Sequence, residues 1–350
     1  MKKPLAITLG DPAGIGPEII AKAFRDAPDA TQGCFVVGDV ATMRRAVQLI
    51  SAAQIPWPVA LIESPVEALG MPPRCLPVLQ VGALAAPVSP GQLSAGAGRF
   101  AAGCVVWAAQ AALRGEVAAM VTAPLNKEAL ALAGAPHAAY PGHTEMLQAL
   151  AAAHKGVATA DMPVRMMLAN DELRVVLVSI HVSLRDAIEA VTFARVLQTL
   201  RITHEALQAS LGRAPRIGVA GLNPHAGEGG LFGREEIDVI APAVAAARAQ
   251  GLQVSGPFAP DTVFMRARAR NGVSGEFDAV VAMYHDQGLI PVKYLGLEQG
   301  VNVTLGLPLV RTSPDHGTAF DIAGTGQADA SSLIAAIRMA RQLCQLPKPG

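Results

Sequence analysis

The feature that most constrains this chain is a recurring unit in which a short, mainly apolar run stops abruptly at glycine or polar residues. It occurs at residues 5–9 before Gly10-Asp11, 34–37 before Gly38-Asp39, and 117–121 before Thr122. It returns at 173–180 before His181, 216–220 before Gly221, and 279–283 before Tyr284-His285. Continuous apolar runs of this length read as strands buried on both faces. Helical patterns follow several of them, at residues 17–24, 94–113, 192–211 and 331–343. The alternation predicts an α/β fold with mostly parallel sheets. The proline-rich residues 51–90 predict edge strands and irregular connections.

At 350 residues the chain is too long for one small core, and two domains are expected. Aromatics are only 4% of the residues, so the core must be built from Ala, Val, Leu and Ile. Lys plus Arg equals Asp plus Glu at 28 each, so no global field draws nucleic acid or an anionic membrane, and an anionic substrate needs a local pocket. The apolar stretch at residues 100–113, uncharged between Arg99 and Arg114, falls short of the roughly 20 residues that cross a bilayer. The apolar start, 4–9, is too short for a signal segment. Cys34, Cys75, Cys104 and Cys344 are scattered without a CxxC pair, which points to reduced thiols and a cytoplasmic protein.

The first strand ends in Gly10, Gly14 and Gly16, a G-x-x-x-G-x-G spacing. Such a turn can offer backbone amides to a phosphate, or simply let a helix pack on a strand. It is neither the dinucleotide G-x-G-x-x-G nor a P-loop, so sequence assigns no residue to a nucleotide cofactor.

Residues 277–293 concentrate the chemistry, with His285, Asp286 and Gln287 just past an apolar strand and Lys293 beyond. In an open α/β sheet, ligands bind outside the carboxyl ends of strands. Two further histidines stand in the same context, His181 and His225. Three neutral imidazoles describe a catalytic divalent-metal site, with zinc first by ligand type. A second group, His143, Thr144, Lys293, Asn302 and Arg311, supplies donors and positive charge suited to a phosphate or carboxylate. Thr144 also reads as a helix N-cap. Asp261 lies in a proline-framed turn.

Several long blocks are shared with one family: residues 10–18 (GDPAGIGPE), 142–145 (GHTE), 221–230 (GLNPHAGEGG), 282–288 (AMYHDQG), 301–308 (VNVTLGLP) and 311–319 (RTSPDHGTA). Together they resemble the 4-hydroxythreonine-4-phosphate dehydrogenases of vitamin B6 synthesis over nearly the whole chain. The resemblance implies two α/β/α domains of the isocitrate/isopropylmalate dehydrogenase-like fold, with the active site in an interdomain cleft at a dimer interface. It places the first domain at 1–130 plus 308–350, and the second, with the metal ligands and dimer contacts, at 131–307. By matching motif, His181, His225 and His285 would ligate zinc, magnesium or cobalt across a homodimer. His143, Thr144, Lys293, Asn302 and Arg311 would hold the phosphorylated substrate. Lys293, Asp286 and Asp261 would serve catalysis. The implied reaction is oxidation by NAD or NADP of 4-phosphohydroxy-L-threonine, then decarboxylation to 3-amino-2-oxopropyl phosphate. Asp11, the 122–127 segment and the 318–324 block look like a branch that can act on erythronate or threonate 4-phosphate. Neither nucleic acid nor membrane is an expected partner.

Overall fold

The structure, a computed structural model, describes residues 3–51, 55–270, 272–296 and 299–344. Among the described residues there are twelve strands: β1 Leu5–Thr8, β2 Cys34–Gly38, β3 Val59–Ile62, β4 Leu76–Gln80, β5 Ala119–Thr122, β6 Arg165–Ala169, β7 Arg174–Leu177, β8 Ile217–Ala220, β9 Val254–Phe258, β10 Ala279–Ala282, β11 Val301–Leu305 and β12 Arg311–Pro314. The chain divides into two compact units, the first Met1–Pro163 with Leu307–Cys344, the second beginning at Val164 and ending at Gly306. The division falls after Pro163 rather than after residue 130. The helix His143–Lys155 packs on the helix Ala95–Leu113 and so belongs with the first unit.

The strands of the first unit run β3-β4-β2-β1-β5-β12, and every pairing is parallel. β1 at the centre is fully buried, as its unbroken apolar run requires. The helix Gly16–Asp26 carries Pro17 and Glu18 in its first turn and buries Ile19, Ile20, Ala23 and Phe24. The Ala95–Leu113 helix is capped by Ser94, whose hydroxyl accepts from the Ala97 amide at 3.3 Å. The proline-rich stretch supplies β3 and β4, with β3 at the edge.

In the second unit the order is β11-β6-β7-β10-β8-β9. Here β11/β6 and β6/β7 pair antiparallel, while β7/β10, β10/β8 and β8/β9 are parallel. The antiparallel turn between β6 and β7 is fixed by buried Asn170, whose Oδ1 accepts from the amides of Glu172 and Leu173 at 2.9 and 2.8 Å. The core gathers Val175, Leu177, Val280, Ala282, Leu289 and Val292. At the amino ends of β8 and β10, Asp278 accepts from the Arg216 amide at 2.7 Å and from the guanidinium groups of Arg213 and Arg216. Burial works to raise its carboxyl, but these donors prevail and hold it well below the usual carboxylate range. Among the described residues no helix is long and apolar enough to cross a membrane.

Candidate functional site

β10 ends at Ala282, and Tyr284 is the residue before the helix His285–Tyr294, so His285 stands at its first residue. Its imidazole Nδ1 lies 2.7 Å from Asp286 Oδ1. A carboxylate only accepts, so Nδ1 donates, which in the neutral tautomer leaves the lone pair on Nε2. That is the orientation a carboxylate gives a metal-ligating histidine. The His181 ring, just past β7, lies 5.6 Å from the His285 ring, centroid to centroid. His225 sits on a loop after β8 in left-handed backbone, as do Ala226, Gly227, Glu228 and Gly229, all with positive φ. Three of those five are not glycine, and such conformations persist only where the surroundings over-determine them.

His225, Asp261, Tyr284 and Asp286 line one cleft of about 640 Å³ in this unit. The donors present, two adjacent strand-end imidazoles, a third on the neighbouring loop and an orienting carboxylate, suit a divalent cation by ligand type. The three imidazoles do not converge within one chain. Among the described residues no three His, Cys, Asp or Glu side chains gather closely enough to hold an ion. The loop turns the His225 ring toward Phe232, 6.1 Å away centroid to centroid. Lys293 lies on the last turn of the His285 helix, eight residues on, which is ~12 Å along the axis at 1.5 Å per residue. Asn302 is half-buried on β11.

The remaining site residues lie in the first unit. Arg311 opens β12 beside Met120 of β5 and is only 4% exposed. Its Nε and Nη2 donate to Thr122 Oγ1 at 3.1 and 2.7 Å. Burial pushes its pKa down to about 10, against the opposing pull of Glu145. His143 begins the helix His143–Lys155, with Gly142 as N-cap, so Thr144 lies inside the first turn rather than capping it. The His143 Nε2 is shut off from solvent and has no hydrogen-bond partner. Burial, and then the charges of Arg311 and Lys127, hold this imidazole well below its ordinary 6.5, so it is neutral. A helix N-terminus flanked by a buried guanidinium and an ammonium is an anion-binding environment. Asn126 caps the helix Lys127–Leu132 by accepting from the Ala129 amide at 2.9 Å, and this sets Lys127 at the strand end.

Sequence reading missed Thr122 as the partner of Arg311, and it gave Lys127 no role. It also passed over Glu236, a buried carboxylate beneath the His225 loop. The first two are legible only once β5 and β12 are known to be neighbours. No local signal marks the third.

The sequence pattern of the pyridoxal phosphate biosynthetic protein PdxA matches residues 30–340. The chain is 52% identical over 346 residues to 4-hydroxythreonine-4-phosphate dehydrogenase of Beijerinckia indica, covering 99% of this chain and 96% of that one. It is 46% identical to D-threonate 4-phosphate dehydrogenase of Salmonella typhimurium, covering 97% and 99% respectively. A crystal structure of 4-hydroxythreonine-4-phosphate dehydrogenase from Klebsiella pneumoniae superposes with a TM-score of 0.86 at 45% identity over 99% of both chains. With strand-end histidines in one unit, a buried cationic pocket in the other and matches of this extent, the chain belongs to the PdxA family and is a dehydrogenase.

Proposed function

We propose that this chain oxidises the secondary hydroxyl of a 4-phospho acid with NAD or NADP and a divalent metal, then releases carbon dioxide. The substrate we favour is 4-phosphohydroxy-L-threonine, giving 3-amino-2-oxopropyl phosphate for pyridoxal phosphate synthesis. The observation that carries this reading is the pocket around His143, where a partnerless, neutral imidazole nitrogen lies beside Arg311 and Lys127. A phosphate offers such donors charged acceptor oxygens. Arg311, His143, Thr144 and Lys127 hold the phosphate, and Lys293 and Asn302 contact the remainder of the substrate.

His181, His225 and His285 hold the cation; among zinc, magnesium and cobalt, three imidazoles suit zinc and cobalt better than magnesium, which prefers oxygen ligands. When bound, the cation supplies Lewis acidity that lowers the pKa of the substrate hydroxyl. Asp286 fixes the His285 tautomer. The proton acceptor is drawn from Asp261, Asp286 and Lys293. Asp286 is already engaged by His285, and this favours Asp261 on the wall of the same cleft. The active assembly is a homodimer. It covers exposed large side chains of the second unit, among them Leu231 at 73% and Tyr294 at 90% exposure, and it completes the ligand set that one chain leaves dispersed.

A second reading, oxidation of D-threonate or D-erythronate 4-phosphate, is favoured by the 46% identity to the Salmonella enzyme. Purified protein with NAD and a divalent metal, offered each phospho acid in turn, decides between them through the absorbance of the reduced nicotinamide. Turnover of 4-phosphohydroxy-L-threonine is expected. Turnover confined to the threonate or erythronate compound overturns the first reading in favour of the second.

A further inference from the structure

The left-handed run that carries His225 is held from below by one buried carboxylate. Glu236 is 3% exposed and opens a π-helical turn, Glu236–Ile240. Its Oε1 accepts from the amides of Leu222 and Asn223, both at 2.7 Å. Its Oε2 accepts from Asn223 Nδ2 at 3.0 Å, and that amide also donates to Glu235 Oε2 at 2.7 Å. Glycine is required where the loop meets this carboxylate. A Cβ at Gly227 would come within 2.7 Å of Oε2, and one at Gly221 within 3.0 Å of Oε1. On the other side of the same segment, the Gly221 carbonyl accepts from Gln287 Nε2 at 2.7 Å. Gln287 Oε1 in turn accepts from the Met283 amide at 2.7 Å, two residues before His285. The segment leading to His225 is therefore gripped through its amides by Glu236 and through its carbonyl by the helix that bears His285.

We propose that Glu236 is a positioning residue that sets the His225 imidazole relative to His285, and that its carboxylate is required for cation affinity rather than for substrate binding. A buried carboxylate accepting three hydrogen bonds stabilises a loop that would otherwise relax from a left-handed run. Glutamine at this position keeps the size, but it loses the charge and faces Asn223 Nδ2 donor to donor. Loss of such supporting contacts typically weakens metal binding by about 10- to 100-fold. The inference rests on the metal reading above, and its test separates the two.

Full-length protein, Glu236→Gln, Asn223→Ala and, as reference, His225→Ala are titrated with cobalt(II), followed by its visible absorption and by calorimetry. The wild type is expected to bind and His225→Ala to lose affinity. Glu236→Gln should bind roughly 10- to 100-fold more weakly, with an unchanged KM for the phosphorylated substrate at saturating cobalt(II). Wild-type affinity in a folded Glu236→Gln overturns the proposal and leaves the metal reading intact. No cobalt binding by the wild type, or wild-type affinity in His225→Ala, overturns both. If Glu236→Gln does not fold, Asn223→Ala decides, because it removes one of the three donors to Glu236 together with the tie to Glu235. A several-fold loss of affinity supports the proposal, and none overturns it.

Discussion

At the scale of single residues, the first unit buries a guanidinium and a neutral imidazole side by side, and each has a measurable consequence. Thr122 is fully buried and receives two bonds from Arg311. Thr122→Val keeps the shape but leaves those N–H groups without their acceptor. The expected cost is about 1–3 kcal/mol, read as a lower urea midpoint, together with a raised KM for phosphorylated substrate. His143 has a folded-state pKa below the 6.5 of the unfolded chain, so as pH falls the unfolded state takes the proton first. Its contribution is neutral above that range and destabilises the fold as pH drops below 6.5. His143→Gln is therefore expected to lose less melting temperature than the wild type between pH 8 and pH 5. Equal losses in the two proteins would count against a neutral His143.

At the scale of elements, the His285 helix lies directly on its sheet because residue 288 has no side chain. A Cβ on Gly288 would meet Leu177 Cδ2 at 2.5 Å and Val175 Cγ1 at 2.7 Å. Gly288→Ala should push the helix off β7 and displace His285, lowering both thermal stability and cobalt(II) affinity. Asp278 offers a complementary test at the opposite ends of the strands. Its depressed pKa means that it stabilises above the unfolded 3.8 and loses that contribution as pH falls toward the folded value. Asp278→Asn should cost about 2 kcal/mol at neutral pH and flatten the acid limb of the stability curve. Elements of this kind were largely legible from sequence. Apolar runs buried on both faces announced β1, β2, β5, β8 and β10 to within a residue or two, and Ser94 and Thr192 marked helix starts. The antiparallel β6 and β11 were not, since register and direction depend on partners far away in the chain. Nor was the left-handed run at His225, because His225, Ala226 and Glu228 carry no preference for it.

At the scale of the molecule, the proposed homodimer predicts sedimentation at twice the 36.1 kDa chain mass. Leu231→Asp should shift it toward the monomer and reduce activity and cobalt(II) affinity together. The candidate residues stood out because chemistry-bearing side chains recur at strand ends. That His143 belongs with the first unit was not legible, since nothing in its own segment tells which unit its helix will join, whereas Arg311 falls in the first unit as expected. One feature of the division into two units governs how the protein comes into being. The first unit is interrupted after Pro163 and resumes only at Leu307, so β12 with Arg311, and the helix Ser331–Cys344 packed on β5 and β12, are made only after the whole stretch from Val164 to Gly306. During synthesis the second unit has all its strands while β5 still waits for its neighbour. Until Arg311 has been added, no nascent chain holds both Thr122 and the guanidinium that bonds it, and a copy stopped short of that residue cannot assemble the anion pocket.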